Sequence, residues 1–211
     1  MDGSGAFHYG AGGPTSGPQG ERLSHGLAGL VASLPAVRTV CDLGCGNGFL
    51  SGLLLERGYE VTGVDASESG IDVARRLHGA RARFERGLID AHLAARLGPG
   101  RFDAVVSCDV IEHLYRPGEL IDCARDLLSP GGWLVLGTPY HGYLKNLALS
   151  LLGAWDRHHG VDWDGGHIKF FSVSSLSRMV EARGFRIARY AYFGRAPWLW
   201  RNMVCIARRG D

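Results

Sequence analysis

An α/β fold built on a parallel sheet is what this chain predicts, on three observations. Between residues 37 and 138, short apolar runs alternate with segments of helical periodicity, which is the pattern of strand–helix–strand units. The turn Gly44-Cys45-Gly46-Asn47-Gly48 joins the first of these strands directly to a helix. A chain of 211 residues that is 45% hydrophobic and 21% charged can also bury the core of one ordinary domain.

The elements follow in order. Residues 1–20 hold seven glycines and two prolines and are read as a flexible arm, with residues 21–211 forming the domain. Phe7, His8 and Tyr9 interrupt the arm, either as plain tail residues or as a segment folding over a bound substrate. Glu21 to Leu34 reads as a helix with Leu23, Leu27, Leu30 and Val31 on one face, ended by Pro35. Val37 to Leu43 is a strand, and Phe49 to Leu55 a helix stopped at Gly58. Glu60 to Asp65 is the second strand, after which Ser67 caps a helix to His78. Arg81 to Glu85 is a short third strand, and Asp90 to Leu97 a helix ended by Gly98-Pro99-Gly100. Phe102 to Cys108 is strand four, and Pro117 opens a helix carrying Leu120, Ile121, Ala124, Leu127 and Leu128. Ser129-Pro130-Gly131-Gly132 reads as a turn into strand five, Trp133 to Thr138.

Beyond Thr138 the composition changes. Residues 139–171 hold four His, three Asp, two Trp and two Tyr around a short apolar helix, Leu144 to Leu152. This is long for a connector and is read as a lid that supplies contacts to a substrate. Ser172 to Ala182 is a further helix, and Phe185 to Phe193 with Trp198 to Arg208 form a hairpin at the end of the sheet.

Composition narrows the function. A net charge of +2, with arginines spread along the chain, does not suggest nucleic-acid binding. No apolar run is long enough for a membrane span, and the N-terminus lacks a secretory signal, so a cytoplasmic protein is expected, as a monomer or homodimer. Cys41, Cys45, Cys108, Cys123 and Cys205 form no C-x-x-C pair and read as buried thiols rather than a zinc site.

In a parallel sheet the ligand site lies outside the carboxyl ends of the strands. That collects Gly44 to Gly48, Asp65, Gly87-Leu88, Cys108 to His113 and Thr138 to Tyr143 into one cleft. The glycine turn does not match the dinucleotide fingerprint G-x-G-x-x-G/A: the sixth position is Phe49 in one register and Ser51 in the other. It reads instead as Asp42-x-Gly44-x-Gly46-x-Gly48, with backbone N–H groups open to a ligand at the start of a helix. Asp65, at the end of strand two, suits the two hydroxyls of a ribose; the plainer alternative is a helix-capping Asp before Ser67.

These motifs resemble those of class I S-adenosylmethionine (SAM) methyltransferases over residues 22–209, most closely the O-methyltransferases of ubiquinone biosynthesis. The specific parts are the glycine turn with Asp42, Asp65, Ser129-Pro130-Gly131-Gly132, Asp109-Val110-Ile111-Glu112-His113-Leu114, and Gly166-His167-x-Lys169-x-Phe171. The resemblance implies a Rossmann-like, doubly wound, mostly parallel seven-stranded sheet with the last strand antiparallel, the lid following strand five. It implies SAM as cofactor, contacted by Asp42, Gly44, Cys45, Gly46, Asn47, Gly48, Asp65, Ala66, Leu88, Cys108, Asp109 and His113. It also implies a divalent metal, Mg²⁺ or Zn²⁺, on Asp109, Glu112 and His113. The chain departs from the family in three places: Asp109 stands where a Glu is usual, Leu88 follows Gly87 where an acid often meets adenine, and the N-terminal arm differs. Substrate identity is therefore not inherited.

Methyl transfer to a hydroxyl needs alignment and a group to take the proton. His113 and His167 are the catalytic candidates: His113 as a structural contact or metal ligand, His167 as a base or as a residue closing the lid onto Phe170. His141, His158 and His159 read as solvated loop histidines, and Trp155, Trp163, Tyr140 and Tyr143 either as walls of an acceptor pocket or as aromatics that pack the lid on the domain. The expected reaction is O-methylation of a small aromatic or natural-product metabolite. Methylation of nitrogen or carbon, or SAM binding without catalysis, are the alternatives.

Overall fold

The computed structural model describes residues 17–159 and 166–210; most of the Gly-rich arm, Trp163 and Gly165 lie outside them. Seven strands form one sheet in the order β3-β2-β1-β4-β5-β7-β6. They are β1 Thr39–Leu43, β2 Glu60–Asp65, β3 Arg83–Arg86, β4 Phe102–Cys108, β5 Leu128–Pro139, β6 Phe185–Phe193 and β7 Asn202–Arg209. The pairs from β3 to β5 are parallel, and β7 runs antiparallel to both β5 and β6. The seven-stranded, doubly wound expectation is thus borne out, with the final hairpin folded so that β7 lies inside β6.

The sheet is covered on both faces, as parallel sheets must be. Alternation along the strands divides the core. Cys41, Leu43 and Val105 pack on one face with Leu120, Ile121, Leu127, Leu176 and Val180. These come from helices α5, Pro117–Leu127, and α8, Val173–Glu181. Val40, Ala104 and Val106 pack on the other face with Leu23, Leu27, Val31, Leu50 and Leu54. These come from α1, Gly17–Ala32, and α2, Phe49–Glu56. Helix α3, Glu68–His78, adds Ile71 and Ala74 against Phe84 and Cys45. All five cysteines are free thiols.

Local signals placed most ends. The Ser67 hydroxyl accepts from the Gly70 N–H at 3.1 Å, capping α3, and Ser172 and Ser175 form a reciprocal capping box on α8. Three expectations are corrected. Helix α1 begins at Gly17, so the last four residues of the expected arm are helical. Helix α4 is only Leu93–Leu97, because Asp90 accepts from the His92 N–H at 2.8 Å and holds that stretch as a turn. Ser129 to Gly132 is not a turn between elements but part of β5, where Gly131 at φ 71° makes an irregularity in the pairing with β4.

Between β5 and α8 the chain forms α6, Tyr143–Leu151, and α7, Trp155–His159, then returns through residues 166–171. Its base is closed by the His141 N–H, which donates to the Phe171 carbonyl at 3.1 Å. No helix of the described residues is long and apolar enough to cross a membrane.

Candidate active site

The turn after β1 has Gly44, Gly46 and Gly48 at φ 78°, 53° and 82°, a left-handed conformation at every second residue. Space adds to the requirement at two of them. A Cβ on Gly44 would collide with Val110 Cγ2, and one on Gly48 would approach Ala74 Cβ to 2.9 Å. The open amides expected here are largely used by the chain itself. Gly44 and Cys45 N–H donate to the Val64 carbonyl at 2.8 and 3.0 Å, Gly46 N–H to Asp65 Oδ2 at 2.8 Å, and Gly48 N–H to the Cys45 carbonyl at 2.9 Å. Only the Asn47 N–H keeps no such partner among the described residues. A turn this tight folds its N–H groups back onto β2 in order to hold its shape.

Asp65 is the other end of that arrangement. Its Oδ2 accepts from Gly46 and its Oδ1 from the Ser67 N–H at 2.7 Å. The carboxylate therefore joins the turn after β1 to the start of α3, and each oxygen keeps lone-pair capacity for a ligand hydroxyl. Burial raises its pKa, and the N–H groups of Ser67 and Gly46 pull it back down. Asp42 is 1% exposed, and its Oδ2 accepts from Ser51 Oγ at 2.7 Å. Burial lifts its pKa to about 7 against the pull of Ser51. Ser51, missed by motif reading, was visible as a polar residue in an otherwise apolar helix. Of the other expected contacts, Cys45 and Asn47 are buried, Ala66 and Cys108 half-buried, and Leu88 is 62% exposed at the β3 edge.

After β4 the chain makes a short 3-10 turn, Ile111–His113. It is entered through Asp109 at φ 52°, an uncommon conformation for a residue other than glycine. Asp109 Oδ1 accepts from Asn202 Nδ2 at 3.2 Å, and burial raises its pKa to about 6. Glu112 is 1% exposed; its Oε2 accepts from Thr138 Oγ1 at 2.9 Å, while its Oε1 has no hydrogen-bond partner among the described residues. Burial, then the neighbouring Asp109, hold the Glu112 carboxyl well above the carboxylate range. His167 Nε2 lies 3.9 Å from Glu112 Oε1, and the His113 and His167 rings meet edge-on at 4.9 Å. The returning segment is fixed to the same residue: the Ile168 and Lys169 N–H groups both donate to the Glu112 carbonyl at 3.0 Å.

The two catalytic candidates therefore come together on one buried acid. Ligand atoms of Glu112, His113 and His167 all lie within 4.8 Å of one another; Asp109, expected as the third ligand, is outside this group and His167 takes its place. The orphaned Oε1 and the oxygen–nitrogen–nitrogen donor set fit a divalent ion of borderline softness. His141, expected in solvent, is 5% exposed instead, packed against His159 and Phe170. Of the expected pocket walls, Tyr140 is buried against Tyr192 and Trp200, Tyr143 is 78% exposed, and Trp155 stacks on His159.

A family profile described as "Methyltransferase domain" matches residues 18–190, most of the chain. The chain belongs to this family. The profile spans the glycine turn, Asp65 and the Glu112–His113–His167 cluster of this methyltransferase domain. A ubiquinone biosynthesis O-methyltransferase from Caulobacter sp. (strain K31) is 41% identical over 115 residues, covering 54% of this chain and 45% of the relative. One from Idiomarina loihiensis is 32% identical over 151 residues, covering 69% and 60%. The chain spans about half the length of the first curated relatives it matches. Among solved structures, a SAM-dependent methyltransferase from Archaeoglobus fulgidus superposes with a TM-score of 0.68 at 18% identity, covering 90% of this chain and 94% of that one. That likeness is one of fold.

Proposed function

We propose that this methyltransferase domain transfers a methyl group from S-adenosylmethionine to a hydroxyl of a small aromatic acceptor. The observation that carries the reading is the convergence of Glu112, His113 and His167 on the strand ends that also bear the glycine turn and Asp65. In this reading Asp65 takes the ribose hydroxyls of the donor, and the acceptor lies between the donor and the residue 139–171 lid. The O-methyltransferase relatives support the choice of hydroxyl.

The reaction is an in-line displacement. The acceptor oxygen forms a bond to the methyl carbon, the carbon–sulfur bond breaks with its pair going to sulfur, and the hydroxyl proton must leave. The sulfonium charge disperses, so alignment is the main demand, worth about 7–11 kcal/mol. In this reading His167 Nε2 takes the proton. Burial and then His113 lower its pKa to about 4, so the imidazole is neutral at pH 7 with a lone pair to offer. Transfer from a phenol near pKa 10 would be uphill by about 8 kcal/mol if it came first. The proton therefore leaves as the oxygen–methyl bond forms.

A second reading has its own observation, the unpartnered Glu112 Oε1 facing His167. Glu112, His113 and His167 would together hold a divalent ion, with Zn²⁺ better suited to two imidazoles than Mg²⁺. Bound there, it would stabilise the acceptor as its oxyanion. The test is a screen of hydroxylated aromatics with SAM, followed by His167→Ala. Turnover should fall about 10²–10⁴-fold while SAM affinity stays within about twofold; a fully active variant removes His167 as base. Loss of turnover with chelator and recovery with Zn²⁺ would select the metal reading. A product carrying its new methyl on nitrogen or carbon would overturn O-methylation.

A further inference from the structure

Two histidines of the stretch after β5 form a second constellation. His141 is 5% exposed, yet among the described residues neither its Nδ1 nor its Nε2 has a hydrogen-bond partner. Its ring stacks on His159 with centroids 5.4 Å apart, and His159 Nε2 is also buried and unpartnered. Trp155 stacks on His159 at 4.6 Å, and Phe170 stands edge-on to both imidazoles at 5.1 and 4.9 Å. Native interiors leave few buried polar atoms unmatched, because each one forgoes its hydration for nothing. Three such atoms in one aromatic nest mark a place where another molecule supplies the partner.

Among the described residues, the charges that shift the nest's histidines are cationic. Lys145 is 2% exposed and donates from Nζ to the Tyr140 carbonyl at 2.6 Å, which uses one of its three N–H donors. Among the described residues, the charges acting on Lys145 are the guanidiniums of Arg195 and Arg201. Those acting on His141 and His158 are Lys145, the two guanidiniums and neighbouring imidazoles, with no carboxylate among them. A metal is not the matching occupant. Among the described residues the one group of ligand atoms close enough to share an ion is Glu112, His113 and His167.

We propose that His141, His159 and Lys145 form a subsite for the carboxylate of an aromatic acid. The imidazole N–H groups and the ammonium donate to the carboxylate oxygens, and Trp155 and Phe170 supply faces and edges for the ring. That the bound acid is the methyl acceptor rests on the methyl-transfer reading above; the binding itself does not. If the bound acid is the acceptor, the subsite would select hydroxylated aromatic acids over neutral phenols.

The experiment uses the full chain with S-adenosylhomocysteine present, titrated with benzoate, its neutral isostere benzamide, and inorganic phosphate. Calorimetry and imidazole ¹⁵N resonances are read together. Benzoate should bind about 10- to 100-fold more tightly than benzamide, the difference expected of charge-assisted bonds. It should move the resonances that vanish in His141→Phe and His159→Phe, and leave those of His25 and His92 in place. His159→Phe keeps the ring stack, so it tests the subsite without emptying it, and should lower benzoate affinity about tenfold. Lys145→Met should abolish the preference for benzoate over benzamide. The proposal is overturned by equal affinity for benzoate and benzamide, by phosphate binding as well as benzoate, or by unmoved His141 and His159 resonances. Benzoate binding without any heat from S-adenosylhomocysteine would sink the methyl-transfer reading and leave the subsite standing.

Discussion

Replacing Asp42 by Asn should remove a fall in stability with rising pH. The carboxyl is fully buried beneath the glycine turn, and its pKa stands at about 7 against an ordinary 3.8, chiefly through burial. Unfolded chains ionise Asp42 from about pH 4 upward, while the folded protein holds the proton until about 7. Between those values unfolding releases a proton, so the native state loses stability as pH rises, and the loss is complete above pH 7. A span of about three pH units at about 1.4 kcal/mol each gives about 4 kcal/mol. The amide of Asp42→Asn would carry no such titration, though its NH₂ group lacks a partner at a cost of about 1–3 kcal/mol. The variant should therefore be less stable than the parent at pH 4 and equal or more stable at pH 8. Denaturant unfolding of both proteins without cofactor, at half-unit steps from pH 4 to 8, gives the difference in stability at each pH and cancels every other titrating group. That difference should climb by about 4 kcal/mol and level off near pH 7. A difference that stays flat would refute the buried, proton-holding Asp42.

Three further outcomes are expected. Gly44→Ala places a Cβ on Val110 at φ 78° and should cost about 3 kcal/mol by thermal unfolding; adding Val110→Ala should relieve the collision but leave about 1 kcal/mol of backbone strain. Asp65→Ala removes the acceptor for the Gly46 and Ser67 N–H groups, so SAM affinity measured by calorimetry should fall at least a hundredfold, and unchanged affinity would contradict the cofactor assignment. Ser172→Ala breaks the capping box of α8 and should lower stability by about 1 kcal/mol without changing turnover, as read by denaturant midpoint and a methyl-transfer assay.

Much of the fold was legible because its signals are local. Strand alternation fixed β1 to β5, the serines at 67 and 172 marked helix starts, and glycines 44, 46 and 48 could only make a turn. The glycine turn also shows where local reading stops. The need for glycine was visible, but not that its N–H groups return to Val64 and Asp65, because those partners depend on the pairing of β1 with β2. Asn202 is a stronger case. It reaches Asp109 from the far end of the chain, since β7 inserts between β5 and β6, and no spacing in the sequence encodes that. The histidines divide the same way. His113 and His167 were named from motifs, yet their meeting on Glu112 depends on two backbone bonds from residues 168 and 169. The burial of His141 is set by Phe170 and His159, which sit well away from it in the chain.

The double anchoring of the stretch after β5 has an evolutionary consequence. His141 is tied to Phe171 at its root, and Ile168 and Lys169 are tied to Glu112, so the stretch is anchored both beside the end of β5 and at the turn after β4. Lengthening a clamped loop raises its closure entropy only logarithmically, about 0.6 kcal/mol per doubling. The segment between the two anchors can thus be exchanged, grown or trimmed while the anchors keep Glu112 and His167 in register. Under the proposed methyl-transfer reading, a lineage built this way would change its acceptor by trading that segment while Glu112 and His167 stay in place.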